Sequence, residues 1–270
     1  MILRDLIKGV RTKRVLGSDD IEITGVCYDS KEVRDGSLFV AIRGEKTDGH
    51  KYVESAIRSG ASALLVEEIP QNHFRDVSII QVEDTKSALA EVSANFFGHP
   101  TKELTLAGVT GTNGKTTVTY LLESIWQEWG KNVGVIGTVD YRFSGKRIPA
   151  VRTTPESLDL MNLFRNMRDS AVWYVVMEVS SHALDRKRVF GCHFDAAVFT
   201  NLSQDHLDYH GTMENYFEAK KRLFSEVLRK SEKREKFSII NIDDSYGKKI
   251  AKEAAGQIIP YSILNSEGVY

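Results

Sequence analysis

Residues 104–130, LTLAGVTGTNGKTTVTYLLESIWQEWG, constrain the fold more than any other stretch. The apolar run 104–109 has the composition of a buried parallel strand. It breaks into a loop with Gly108, Gly111 and Gly114, followed by Lys115, Thr116 and Thr117. Val118, Leu121, Leu122, Ile125 and Trp129 then recur at helical spacing. Strand, glycine loop, Lys-Thr and helix, in that order, make a phosphate-binding loop. Glycines let backbone N–H groups approach phosphate oxygens, and the helix N-terminus adds partial positive charge. Lys115 supplies a cation for the β- and γ-phosphates, and Thr116 a hydroxyl for Mg²⁺. The strict pattern asks for glycine at position 109, where this chain has Val109, with Gly108 one residue early. The plain alternative is a glycine turn with Lys115 solvated at the helix start. The strand before the loop and the helix after it favour nucleoside triphosphate binding.

At 270 residues the chain is long enough for two domains. Lys plus Arg number 36 and Asp plus Glu 37, so no global field points to a nucleic acid or a membrane surface. Cys27 and Cys192 provide neither a disulfide framework nor a zinc pattern. The first fifteen residues lack the apolar core of a signal peptide, and no later run is long enough to span a bilayer. The expectation is a cytoplasmic, monomeric enzyme.

The fold class expected is α/β. Residues 1–98 form an N-terminal α/β domain, with strands at 25–28, 37–42, 63–66 and 77–82 and helices at 52–59 and 85–97. Asp84 or Thr85 caps the second helix. Gly98-His99-Pro100 punctuates the chain there. Residues 99–270 alternate strand and helix as a parallel-sheet domain of phosphate-loop type, with strands at 104–109, 132–139, 172–179, 195–200, 237–242 and 257–263. Helices are expected at 115–129, 155–168, 213–229 and 245–255. Ser144-Gly145 marks a hairpin turn, and Thr154-Pro155 reads as an N-cap followed by the first helical residue.

Ligands of such sheets sit beyond the carboxyl ends of the strands. Glu178 ends the apolar strand 172–177, where a Mg²⁺ ligand belongs, although a merely exposed strand end is the competing reading. Ser180, Ser181 and His182 follow, then Arg186, Lys187 and Arg188, a cluster that either clamps an anion or is solvated. Residues 201–211, NLSQDHLDYHG, place His206, His210, Asp205 and Asp208 after another strand. Zinc is not expected there, because the glutamate of the helical zinc motif is absent. Lys220, Lys221 and Arg222 read, on periodicity alone, as solvated charges. Tyr28-Asp29-Ser30-Lys31 and residues 43–50 follow strands of the first domain and read as turns.

Several ordered segments together resemble the Mur ligase family: TGTNGKTT at 110–117, MEVSSHAL at 177–184 with Arg188-Val189, FTNLSQDHLDYH at 199–210, and YFEAK at 216–220. The resemblance is to the MurE-type branch, which adds the third residue of the peptidoglycan stem peptide, and it covers most of the chain. It implies that Ser30 contacts the uridine part of UDP-N-acetylmuramoyl-L-alanyl-D-glutamate. Thr153, Thr154, Ser180 and Arg188 would hold its peptide end. Gly111, Thr112, Asn113, Gly114, Lys115, Thr116 and Thr117 would bind ATP, with Thr116, Glu178, His206 and a carboxylated Lys220 on Mg²⁺. Lys115, Lys220 and His206 would then serve catalysis. A carbamate needs a neutral amine, so Lys220 would need a depressed pKa. Arg186 departs from the family, which usually has no charge at that position.

The resemblance further implies ATP-driven amide formation through an acyl phosphate, with an amino acid such as diaminopimelate or lysine as the incoming amine. Mur ligases carry a third, C-terminal domain that selects the amino acid, and this chain stops at Tyr270 with its central domain incomplete. A fragment of a longer ligase, inactive alone, is therefore expected. The competing functions are a non-catalytic module that binds nucleotide or UDP-sugar peptide, and another phosphate-loop small-molecule kinase.

Overall fold

The computed structural model describes residues 1–44, 47–71 and 76–264. The chain divides into two compact units, Met1–His99 and Pro100–Tyr270.

The first unit contains α1 (Leu3–Leu6), β1 (Thr12–Leu16), β2 (Gly25–Cys27), β3 (Ser37–Val40), α2 (Val53–Arg58), β4 (Ala61–Val66), β5 (Ser78–Val82) and α3 (Thr85–Phe96). Its five strands lie in the order β1-β5-β4-β3-β2. All neighbours are parallel except β1, which pairs antiparallel with β5. The central strands β3 and β4 are almost wholly buried, as expected of apolar runs covered on both faces. Sequence reading missed β1. Its residues, TKRVL, are largely exposed, so the edge strand has no apolar alternation to give it away. Asp84 caps α3 by accepting from Lys86 N at 3.0 Å.

The second unit contains β6 (Thr105–Thr110), α4 (Lys115–Glu128), β7 (Val133–Ile136), β8 (Asp140–Phe143), β9 (Lys146–Pro149), α5 (Ser157–Asp169), β10 (Tyr174–Glu178), α6 (Ser181–Asp185) and β11 (Ala196–Phe199). The chain continues through α7 (Leu207–His210), α8 (Met213–Arg222), a π-helical turn at Leu223–Val227, α9 (Leu228–Lys230), β12 (Phe237–Asn241), α10 (Ser245–Ala251) and β13 (Gln257–Tyr261). The eight strands run β13-β12-β11-β6-β10-β7-β8-β9. The first six are parallel, and the hairpin β8–β9 joins the edge antiparallel, so the sheet is mixed rather than wholly parallel. That hairpin turns at Ser144-Gly145, as its sequence indicates.

Four local expectations need correction. Gly108 is not a loop glycine: it lies within β6, where a Cβ would come 2.7 Å from the Phe194 ring. It is a packing glycine, and the loop proper begins at Gly111. On α4, Thr119 is buried, and Val118, Leu122 and Trp126 are partly buried against the cluster of Val109, Val135 and Val176. Leu121, Ile125 and Trp129 are exposed, because the stripe facing the sheet is turned from the one that their spacing describes. Helix α5 starts at Ser157 with Glu156 at its N-cap, which leaves Thr154 free for the buried contacts described below. The strand expected at 132–139 ends at Ile136, where Gly137-Thr138 turns the chain into the hairpin.

Candidate functional site

Parallel strands β6, β10 and β7 deliver three loops to one end of the sheet. Between β6 and α4, Gly111 (φ 146°) and Gly114 (φ 85°) take backbone conformations that side chains disfavour. Gly114 is the N-cap of α4, so the helix N-terminus opens onto the loop. The loop is held from below by residues after β11. Asn201 Nδ2 donates to Asn113 O at 3.1 Å, and Asn113 N donates to Asn201 Oδ1 at 3.0 Å. Thr200 Oγ1 donates to Asn113 O at 2.7 Å, and Ser203 N donates to Thr112 Oγ1 at 3.0 Å. Asn201 lies inside a quoted motif, but nothing in its spacing marks it as the brace of the loop.

The end of β10 supplies Glu178, whose side chain is buried. Its Oε1 accepts from Thr116 Oγ1 at 2.9 Å and from Thr138 N at 3.0 Å, and its Oε2 accepts from Thr138 Oγ1 at 3.0 Å. The exposed-end reading of Glu178 is thereby replaced. A carboxylate and a hydroxyl form a hard-oxygen pair suited to Mg²⁺, which ordinarily completes its shell with phosphate oxygens and water. Among the described residues no three His, Cys, Asp or Glu side chains gather as a self-contained metal site.

Two lysines enter the same loop. Lys115 Nζ donates to Gly111 O and Thr112 O, both at 2.9 Å. Lys220 is 2% exposed, which overturns the solvated reading from periodicity. Its Nζ donates to Gly111 O at 2.8 Å and lies 4.6 Å from the centre of the Tyr216 ring. Burial lowers the Lys115 pKa, with Glu178 and Asp205 opposing. Burial, aided by Lys115, lowers that of Lys220 well below the usual lysine range. Its neighbours behave as the surface reading has it: Lys221 pairs with Glu218 and Glu253, and Arg222 with Asp185.

A cleft of about 330 Å³ is lined by residues 112–117 with Thr138, Thr153, Glu178, Ser180, Ser181, His206 and Lys220. His206 has a left-handed backbone (φ 52°) at the start of α7 and an imidazole about half exposed. Thr154 and Arg188 are not on the cleft wall. Thr154 Oγ1 donates to Glu178 O at 2.9 Å and accepts from Ser180 N at 3.1 Å. Arg188 is buried, with Nε donating to Glu156 Oε2 at 3.1 Å and Nη1 to Thr154 O at 3.2 Å. Both therefore support the wall that Thr153 and Ser180 form. Arg186 donates to Tyr209 Oη at 3.2 Å, and that hydroxyl donates to Asp185 at 2.7 Å. Ser30 belongs to the other unit, in a turn after β2 that Asp29 closes by accepting from Lys31 N at 3.0 Å. Of residues 43–50, Glu45 and Lys46 lie outside the described residues; Arg43 pairs with Glu67 at 3.1 Å and Asp48 caps His50.

Residues 109–269 match the model of the Mur ligase middle domain, and residues 22–97 match the model of the Mur ligase family, catalytic domain. The chain belongs to the Mur ligase family. It is 46% identical over 263 residues to a UDP-N-acetylmuramoyl-L-alanyl-D-glutamate--2,6-diaminopimelate ligase of Caldanaerobacter subterraneus subsp. tengcongensis, covering 97% of this chain and 53% of that one. A solved structure of a ligase with the same name superposes with a TM-score of 0.84 at 27% identity, over 100% of this chain and 54% of the other. A Mur ligase structure of the MurF type from Thermotoga maritima, in complex with ADP, gives 0.55 at 25% identity, over 90% and 50%. The chain thus spans about half the length of the Mur ligases that it matches. Among its described residues no helix is long and apolar enough to cross a membrane.

Proposed function

We propose that this chain carries the nucleotide-binding and acceptor-binding parts of an ATP-dependent Mur ligase that extends UDP-N-acetylmuramoyl-L-alanyl-D-glutamate by one amino acid in peptidoglycan synthesis. The relatives' names make 2,6-diaminopimelate the favoured amino acid. The observation that carries the reading is the meeting of Lys115, Thr116, Glu178, His206 and Lys220 around one cleft that Thr153 and Ser180 also line. In this reading the loop from Gly111 to Thr117 cradles the triphosphate with its N–H groups, and Lys115 neutralises charge on the transferring phosphoryl group. Thr116 and Glu178 would hold Mg²⁺, joined by His206 and by Lys220 as a carbamate. The ion, when bound, neutralises phosphate charge. Depression of the Lys220 pKa supports the carbamate, since only the neutral amine adds to CO₂.

The acceptor's terminal carboxylate would attack the γ-phosphorus, releasing ADP and leaving an acyl phosphate. The incoming amine would displace phosphate to form the amide. Thr153 and Ser180 would orient the acceptor from the cleft wall, with Thr154 and Arg188 fixing their loops. Ser30, in the first unit, would contact the uridine. Turnover is assigned to a ligase working as a monomer in the cytoplasm.

Calorimetric titration of this chain with UDP-N-acetylmuramoyl-L-alanyl-D-glutamate, with UDP as control, tests the acceptor assignment. Tighter binding of the complete acceptor is expected, and equal affinity for UDP would remove the peptide contacts from the reading. Titration of Lys115→Ala with ATP tests the other half: retained affinity would sink the phosphate-loop assignment.

A further inference from the structure

The turn between β7 and β8 contains two residues that neither motif nor spacing singles out, Gly137 and Thr138. Together they enclose the Glu178 carboxylate. Thr138 gives it both a backbone N–H, 3.0 Å from Oε1, and a hydroxyl, 3.0 Å from Oε2. Thr116, the other hydroxyl donor, reaches Oε1. Thr138 is thus the side chain that fixes the second oxygen. A Cβ on Gly137 would lie 2.5 Å from Oε1, so glycine lets the carboxylate settle against the turn. The Thr138 hydroxyl has one proton, which goes to Glu178. Its 3.1 Å contact with Thr153 Oγ1 therefore uses the Thr153 proton. A directed chain, Thr153 to Thr138 to Glu178, runs from the cleft wall to the buried carboxylate.

We infer that Thr138 is a positioning residue, which aims the Glu178 carboxylate at a divalent cation held with the nucleotide. The inference rests on the cation site proposed above. Its physical basis is general: groups that orient a metal-binding carboxylate fix its direction, and their loss typically weakens metal binding 10- to 100-fold. Thr138 is exposed and the turn needs no threonine to form, so removing its hydroxyl leaves the backbone contact and the hairpin in place.

The test is Mn²⁺ binding to this chain, followed by electron paramagnetic resonance in the presence of a non-hydrolysable ATP analogue. Nucleotide affinity without metal is measured alongside. Thr138→Val should weaken Mn²⁺ binding about tenfold and leave metal-free nucleotide affinity unchanged, while Thr138→Ser restores the metal affinity. Gly137→Ala keeps the hydroxyl but displaces the carboxylate, and should also weaken Mn²⁺ binding. It serves where Thr138→Val does not fold. Unchanged Mn²⁺ affinity in Thr138→Val, or an equal loss in Thr138→Ser, overturns the positioning role alone. Absence of Mn²⁺ binding by the unsubstituted chain overturns the cation site, and the inference with it.

Discussion

Lys115 and Lys220 direct their ammonium groups at one carbonyl oxygen, Gly111 O, from 2.9 and 2.8 Å. Two cations that share a neutral acceptor repel each other, and each lowers its own proton affinity by being buried. The arrangement suits a loop that receives a highly charged anion, because Glu178 and Asp205 offset only part of the cost of burying the two ammonium groups. It also gives this region a stability cost that substitution should reveal.

Lys220→Met keeps an unbranched buried side chain, one heavy atom shorter, and removes its charge. Replacing a poorly compensated buried charge by an apolar group is often stabilising, here by about 1 kcal/mol. The sign with pH follows from the lowered folded-state pKa. The unfolded chain binds the Lys220 proton more tightly, so wild-type stability rises as pH climbs from the folded pKa towards 10.5. The gain from Lys220→Met should therefore be largest at neutral pH and shrink in alkaline solution. Urea midpoints at pH 7 and pH 9.5 check this, and a variant less stable than wild type at pH 7 would refute it. In a complete ligase the same variant should lose turnover, because methionine cannot carry a carbamate.

His210 provides a second pH dependence on the acid side. It is buried, 3.0 Å from Ser181 Oγ, and its ring lies 5.5 Å from that of His182. Burial lowers its pKa most, followed by the charge of His182; Lys220 and His206 add to this and Asp185 opposes. A histidine with a depressed folded pKa contributes full stability above its unfolded value of 6.5, and loses it as pH falls below that value towards the folded pKa. The unfolding midpoint should drop between pH 7.5 and pH 5.5, and His210→Gln should drop less over the same interval. An identical fall in both proteins would assign the acid sensitivity to other groups.

The residues that carry chemistry in this reading were legible because they interrupt local patterns. Glycines break the strand before Lys115, and Glu178 ends an apolar run. What escaped the sequence depends on partners far along the chain. Asn201 braces Asn113 across 88 positions, and Thr138 reaches Glu178 across 40. Neither spacing carries a periodic signal. Lys220 shows the same limit in another form. Its helix alternates charged and apolar residues as a surface helix does, yet packing turns this lysine into the core beside Gly111 and leaves Lys221 and Arg222 in surface ion pairs. The antiparallel edge strand β1 was hidden because exposed residues occupy both its faces.

Gly111 and Gly98 separate backbone strain from close approach. Both have positive φ, 146° and 70°, but a Cβ at Gly98 would meet nothing within 4 Å, whereas at Gly111 it would lie 1.9 Å from Thr200 Oγ1. Gly98→Ala should therefore show the backbone cost alone, about 1 kcal/mol, with ATP affinity intact. Gly111→Ala adds a collision with the residue whose hydroxyl holds Asn113 O, so the phosphate loop itself must shift. Its ATP affinity should fall by at least about tenfold, the loss expected when donors aimed at a phosphate are displaced. Adding Thr200→Ala removes the nearest clash but not the Asn201 backbone atoms, which would still stand 3.1 Å from the new methyl. The double variant should recover ATP binding only in part. Calorimetry with ATP on the three variants decides the matter. Equal affinity for Gly111→Ala and Gly98→Ala would mean that the loop tolerates a side chain where the packing of Thr200 says that it cannot.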